Sequence, residues 1–186
     1  MSSDHGIERV PSLLEFFRDE MTCAFEQMGV RTSEETEAYL VHLLDGYTRL
    51  DPESADEVGF DKPAALILEE AMSSAGDRRI ELYRRLGDAS LYNCGFFGAH
   101  ITRRSVSPAY YRKMGRTAYQ NLGDMMGFKQ PGGVFHAIFS ELAAKFDGIV
   151  DAFRLMSGTG PSDDDTMRQI EALLRKGFYP LPIKGD

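Results

Sequence analysis

Apolar residues recur at helical spacing along most of the chain. Leu13, Leu14, Phe17, Met21, Ala24, Phe25 and Met28 fall on one face at a period of 3.6 residues. Ser12, with Glu15 three positions on, has capping-box spacing at the start of this helix, and Gly29 stops it. Thr32 and Glu35 repeat the box before a second stripe of Tyr39, Leu40, Leu43, Leu44 and Tyr47. Residues 50–60 are acidic, contain Pro52 and Gly59, and read as a loop. Asp61 is placed to cap a third helix with Pro63 in its first turn, where proline is tolerated, running to near Gly76. Residues 78–86 form a fourth, amphipathic helix with the pairs Arg78-Arg79 and Arg84-Arg85.

Leu86 to Ile101 breaks the amphipathic rhythm. Its one formal charge is Asp88, and arginine pairs flank it. The run is too short to span a bilayer but suits a helix buried on most faces. Gly87-Asp88 is expected to interrupt the preceding helix, with Asp88 capping a new one over about 88–101. Gly95, Gly98 and Ala99 give it a patch where another backbone could approach closely.

Ser107-Pro108 is a start signal for the next helix, whose buried face is Tyr111, Met114, Ala118, Leu122 and Met125. Gly115 lies beside that face. A helix-interior glycine costs about 1 kcal/mol against alanine, so contact with the 95–99 patch is expected to compensate. Residues 127–133, GFKQPGG, predict a turn. The longest stripe follows: Phe135, Ile138, Phe139, Leu142, Phe146, Ile149, Val150, Phe153 and Met156, opposite Glu141, Lys145, Asp151 and Arg154. Ser162 and three aspartates open a last helix, ending near Arg175-Lys176.

No strand alternation or internal repeat appears. The pattern predicts an all-α, single-domain bundle of about seven helices packed around the central apolar one. The domain spans 12–178, between a flexible N-terminus (1–11) and an extended C-terminal tail (179–186).

Composition changes this picture little; the distribution of charge changes it more. The net charge of −8 argues against nucleic-acid binding. Residues 1–76 carry −12, residues 77–118 carry +6 and residues 119–186 carry −2. The basic block either faces acidic segments, in this chain or in a second copy, or forms an anion site. Without a leader pattern or a spanning segment, the cytoplasm is the expected location. Cys23 and Cys94 lie in predicted helices and read as reduced core residues rather than a disulfide.

Three groups of residues are candidates for chemistry. Arg103, Arg104, Ser105 and Ser107 precede a helix whose first N–H groups lack internal partners, a setting that attracts phosphate or carboxylate. Arg112, Lys113 and Arg116 would extend its positive field. His100, His136 and His42 are the candidate haem or metal ligands, although no paired His or Cys spacing supports them. Tyr92, Tyr110, Tyr111 and Tyr119 are candidate pocket-lining residues. No nucleophile-elbow, phosphate-loop or dinucleotide signature occurs.

The stretch Tyr83-Arg84-Arg85-Leu86-Gly87-Asp88-Ala89-Ser90 resembles the start of the kinked distal helix of haem oxygenases, which reads LGD-x-SGG. Leu91 and Tyr92 stand where that motif has two glycines. The first helix holds no histidine where those enzymes carry the haem-ligating one. The resemblance implies a helical ligand-binding fold with haem as the cofactor; nothing else indicates a cofactor.

These patterns lead to a non-catalytic interaction or regulatory protein that self-associates as a homodimer. The alternative is a small-ligand binder, with an anion at Arg103, Arg104 and Ser107 or a tetrapyrrole at His100 and His136.

Overall fold

The computed structural model describes residues 12–48, 64–96 and 107–158. Six helices occupy them: α1 (Leu13–Met28), α2 (Glu34–Thr48), α3 (Ala64–Ser73), α4 (Gly76–Phe96), α5 (Pro108–Lys129) and α6 (Val134–Met156). Among the described residues there is no strand, so the all-α class holds. The expected helix after Ser162 lies outside the described residues, as do the 50–60 loop, the Asp61 cap, Gly98 and Ala99.

Local chemistry sets the helix ends. Ser12 Oγ accepts from Glu15 N at 3.2 Å, and Glu15 Oε2 accepts from Ser12 N at 2.8 Å, closing the expected capping box. Gly29 ends α1 at φ 64, a left-handed conformation that glycine adopts without strain. Ser107 caps α5 through Tyr110 N, with Pro108 behind it. At α2 the expected cap is displaced by one residue: Ser33, not Thr32, accepts from Thr36 N. Thr32 instead donates to Glu37 Oε1. The turn between α5 and α6 is also shorter than expected, because α5 continues through Gly127 to Lys129.

α4, α5 and α6 form the heart of the bundle. α3 packs on α4, while α1 and α2 pack on α6. All six helices contribute to one hydrophobic core, including Phe17, Leu44, Ile67, Leu86, Leu122 and Phe146. The expected central helix is the second half of α4, and Leu91, Tyr92 and Cys94 there are almost fully buried. The expected interruption at Gly87-Asp88 does not occur. Gly87 is there for packing: a Cβ on it would lie 2.6 Å from Tyr119 Cε1. Asp88 has partners on other helices and caps nothing.

Two further glycines let the helices approach closely. A Cβ at Gly115 would meet Phe146 Cζ at 2.4 Å and Ser90 Cβ at 2.6 Å. A Cβ at Gly95 would meet Phe153 Cβ at 2.4 Å. Gly115 therefore faces α4 at Ser90, one helical turn before the expected patch, and Gly95 faces α6 instead of α5. Cys94 is buried as expected, but Cys23 is exposed, on the outer face of α1; both are free thiols.

Polar clamps join the helix ends. Arg79 donates from Nε to Ser74 O at 2.6 Å and from Nη2 to Met72 O at 3.1 Å, satisfying carbonyls at the end of α3. Arg154 Nε donates to Cys94 O at 3.2 Å, tying α6 to the end of α4. Glu141 on α6 accepts from Ser33 N at 2.9 Å, Ser33 Oγ at 2.7 Å and Lys145 at 2.7 Å. Burial pushes its carboxyl up, but these hydrogen bonds outweigh it and hold the group at about 2.

Gly115→Ala should therefore destabilise the fold by about 1–3 kcal/mol, because neither Phe146 nor Ser90 has room to yield. Gly46, inside α2, has nothing within 4 Å of a built Cβ. Gly46→Ala should stabilise by about 0.5–1 kcal/mol. Urea unfolding of the two variants checks the contrast.

Candidate ligand site around Asp88

Asp88 lies midway along α4, facing α2 and α5. Tyr39 on α2 donates its hydroxyl to Asp88 Oδ1 at 2.6 Å, and Tyr119 on α5 donates to the same oxygen at 2.7 Å. Oδ2 receives neither hydroxyl. The packing that places these groups comes from the sequence: Gly87, one residue before Asp88, admits the Tyr119 ring against the α4 backbone. Phe139 on α6 braces both tyrosines, edge-on to Tyr39 at 5.5 Å between ring centroids and stacked on Tyr119 at 6.1 Å. Tyr47 and Tyr92 stack at 4.4 Å and 9°, and the Tyr47 hydroxyl is close enough to Asp88 to feel its charge.

Burial dominates the electrostatics here. Desolvation raises the Asp88 carboxyl to about 6, against the two tyrosine hydrogen bonds and the more distant Arg84, which favour the charged form. Tyr39, Tyr47 and Tyr119 are pushed well above the usual phenol range, first by burial and then by the Asp88 charge. Although protein surrounds it, Asp88 keeps part of its surface accessible. It therefore lies at the margin of the core rather than in its dry interior. Among the described residues no lysine or arginine forms an ion pair with it.

The expected site residues are scattered. Arg103, Arg104, Ser105 and His100 lie outside the described residues. Ser107 is a helix cap. Arg112 reaches Asp151 at 2.6 Å and Asp147 at 3.4 Å, and Arg116 also pairs with Asp147. These arginines are thus matched by acids of α6 rather than by the acidic N-terminal third. Lys113 is exposed. His42 is exposed, and His136 Nδ1 donates to Gly123 O at 2.8 Å. Among the described residues no three His, Cys, Asp or Glu side chains are grouped to hold a metal ion.

Of the four tyrosines, Tyr92 and Tyr119 join the Asp88 surroundings. Tyr110 and Tyr111 meet edge-on at 6.1 Å, away from that cluster, where Tyr110 lines an open apolar cleft with Leu68, Met72 and Met114. Asp88 and Tyr39 were not expected to be site residues. The available signal was one acid in an otherwise uncharged run, together with Tyr39 on the apolar stripe of α2.

No family model, curated protein or solved structure matches the chain. The haem-oxygenase resemblance stays confined to residues 83–90, and α4 runs uninterrupted through them.

Because both hydroxyls bind one oxygen, an asparagine carbonyl can accept both. Asp88→Asn should therefore keep the fold. The raised carboxyl binds its proton more tightly in the folded than in the unfolded chain, so Asp88 makes stability fall as pH rises from about 4 to 6. Asp88→Asn should flatten that slope and be more stable than wild type at pH 7.5, by about 1–3 kcal/mol. Urea unfolding of both proteins from pH 4 to 8 measures the difference.

Proposed function

We propose that the protein binds a small molecule at the partly accessible carboxyl of Asp88. One observation carries this reading. A carboxyl group is enclosed by three helices at a cost in solvation, with two hydroxyls spent on one oxygen and the other oxygen left for an occupant. A group kept for stability alone would be better replaced by a neutral one. The anion reading at Ser107 is less favoured, because Arg112 and Arg116 already have acidic partners. Free thiols at Cys23 and Cys94 agree with a reducing, cytoplasmic setting.

A thermal-shift screen against small metabolites tests the reading. Hits should raise Tm by at least about 2 °C in wild type and lose that effect when Tyr39 and Tyr119 are both changed to Phe. Hits that shift the double variant equally, or no hits at all, count against it.

A second reading, a self-associating and non-catalytic interaction or regulatory protein, is favoured by the rim of the α5–α6 turn. Phe128 is 92% exposed there, with Val134 and Phe135 also exposed beside it. The partner would be a second copy of the chain. Light scattering should then give a dimer for wild type and a monomer for Phe128→Ser with Phe135→Ser. A wild type that stays monomeric at high concentration removes this reading.

A further inference from the structure

We infer that the open cleft between α3 and α5 is a docking site for this chain's own C-terminal segment, whose apolar stripe of Met167, Ile170, Leu173 and Leu174 lies along it. The inference goes beyond the reading at Asp88 and does not depend on it.

The first argument concerns the cleft. Leu68 and Met72 of α3 face Tyr110 and Met114 of α5 across a cavity of about 510 Å³. Met72 is 64% exposed, and Leu66 on the same helix is exposed as well. Apolar surface gathered in a groove is unfavourable in water, and an amphipathic helix laid into the groove removes it from solvent. The C-terminal stripe recurs at i, i+3, i+6 and i+7, the spacing of one helix face. Its residues lie outside the described ones, so its place is inferred from where the described chain ends.

The second argument concerns that end. Ser157 Oγ donates to Gly95 O at 3.5 Å and Arg154 Nε to Cys94 O at 3.2 Å, tying the end of α6 to the end of α4. Arg112, in the second turn of α5, reaches Asp151 near the end of α6. The chain therefore leaves Gly158 at the end of the bundle where α5 begins, and Tyr110 lies in that first turn of α5. The stretch from Gly158 to Met167 reaches up to about 30 Å when extended. That exceeds two interhelix spacings of about 10 Å, enough to round the end of the bundle.

The third argument concerns charge and competition. Glu69 is exposed on the lip of the cleft and forms no ion pair among the described residues. Arg168, Arg175 and Lys176 flank the C-terminal stripe with the opposite charge. Residues 50–60, which lead towards α3, are acidic like Glu69 and carry no such stripe; residues 97–107, which join α4 to α5, carry none either. Tethering gives the C-terminal segment a local concentration of about a millimolar, so it outcompetes the same segment of a second copy at micromolar protein.

The test uses the full chain with carbon-13 methionine methyls, followed by NMR. Wild type should show nuclear Overhauser contacts from the Met167 methyl to those of Met72 or Met114. Leu173→Asp with Leu174→Asp should abolish the contacts and shift the Met72 and Met114 signals. The signal of Met21, buried in α1, should stay in place.

Wild-type spectra without those contacts overturn the inference, as does a charged variant whose Met72 and Met114 signals do not move. Met72 and Met114 signals that move on dilution to micromolar protein also overturn it, because the segment then comes from a second copy. The contacts and the dilution are read in wild type alone, so the outcome does not depend on the variant folding.

Discussion

Close approach between α4, α5 and α6 is the constraint on which the rest depends. It is set where glycine on one helix receives a ring from another: Tyr119 at Gly87, Phe153 at Gly95 and Phe146 at Gly115. Such contacts allow one side-chain arrangement, because any added atom would collide. The Tyr119 contact also fixes the chemistry. With its ring against the α4 backbone, its hydroxyl reaches the carboxyl one residue further along. A wider spacing would leave Asp88 facing water, with an ordinary acidity.

Much of this could be read from the pattern of residues. The helical stripes of α1, α2, α5 and α6, the Ser12 box, the Ser107 cap and the stop at Gly29 all follow from local chemistry acting within a few positions. Local signals failed where tertiary contacts decide. Gly87-Asp88 has the sequence of a helix break, yet the helix continues because both residues have partners on other helices. Cys23 lies on the outer face of its helix despite an apolar side chain, since the α1 core face is already filled by Phe17, Met21, Ala24 and Phe25.

The candidate site was legible only in fragments. Tyr119 and Tyr92 drew notice as candidate pocket-lining residues, and Asp88 as the sole charge in an apolar run. That Tyr39, forty-nine positions away, donates to the same oxygen depends on how α2 lies across the bundle. Charge counting had a similar limit. The basic 77–118 block is balanced in part by acids four residues apart on α6, Asp147 and Asp151, and regional totals conceal that pairing.

The aromatic contacts around Asp88 reach the surface. Phe139, which braces Tyr39 and Tyr119, also stacks with the exposed Phe135 at 6.2 Å. Anything that covers the outer ring and anything that binds beside Asp88 would therefore act on one shared aromatic contact. Whatever influence the first has on the second must be returned in equal measure, because linkage between two binding events is reciprocal. A partner at the rim and an occupant in the interior would then be two ends of a single thermodynamic lever.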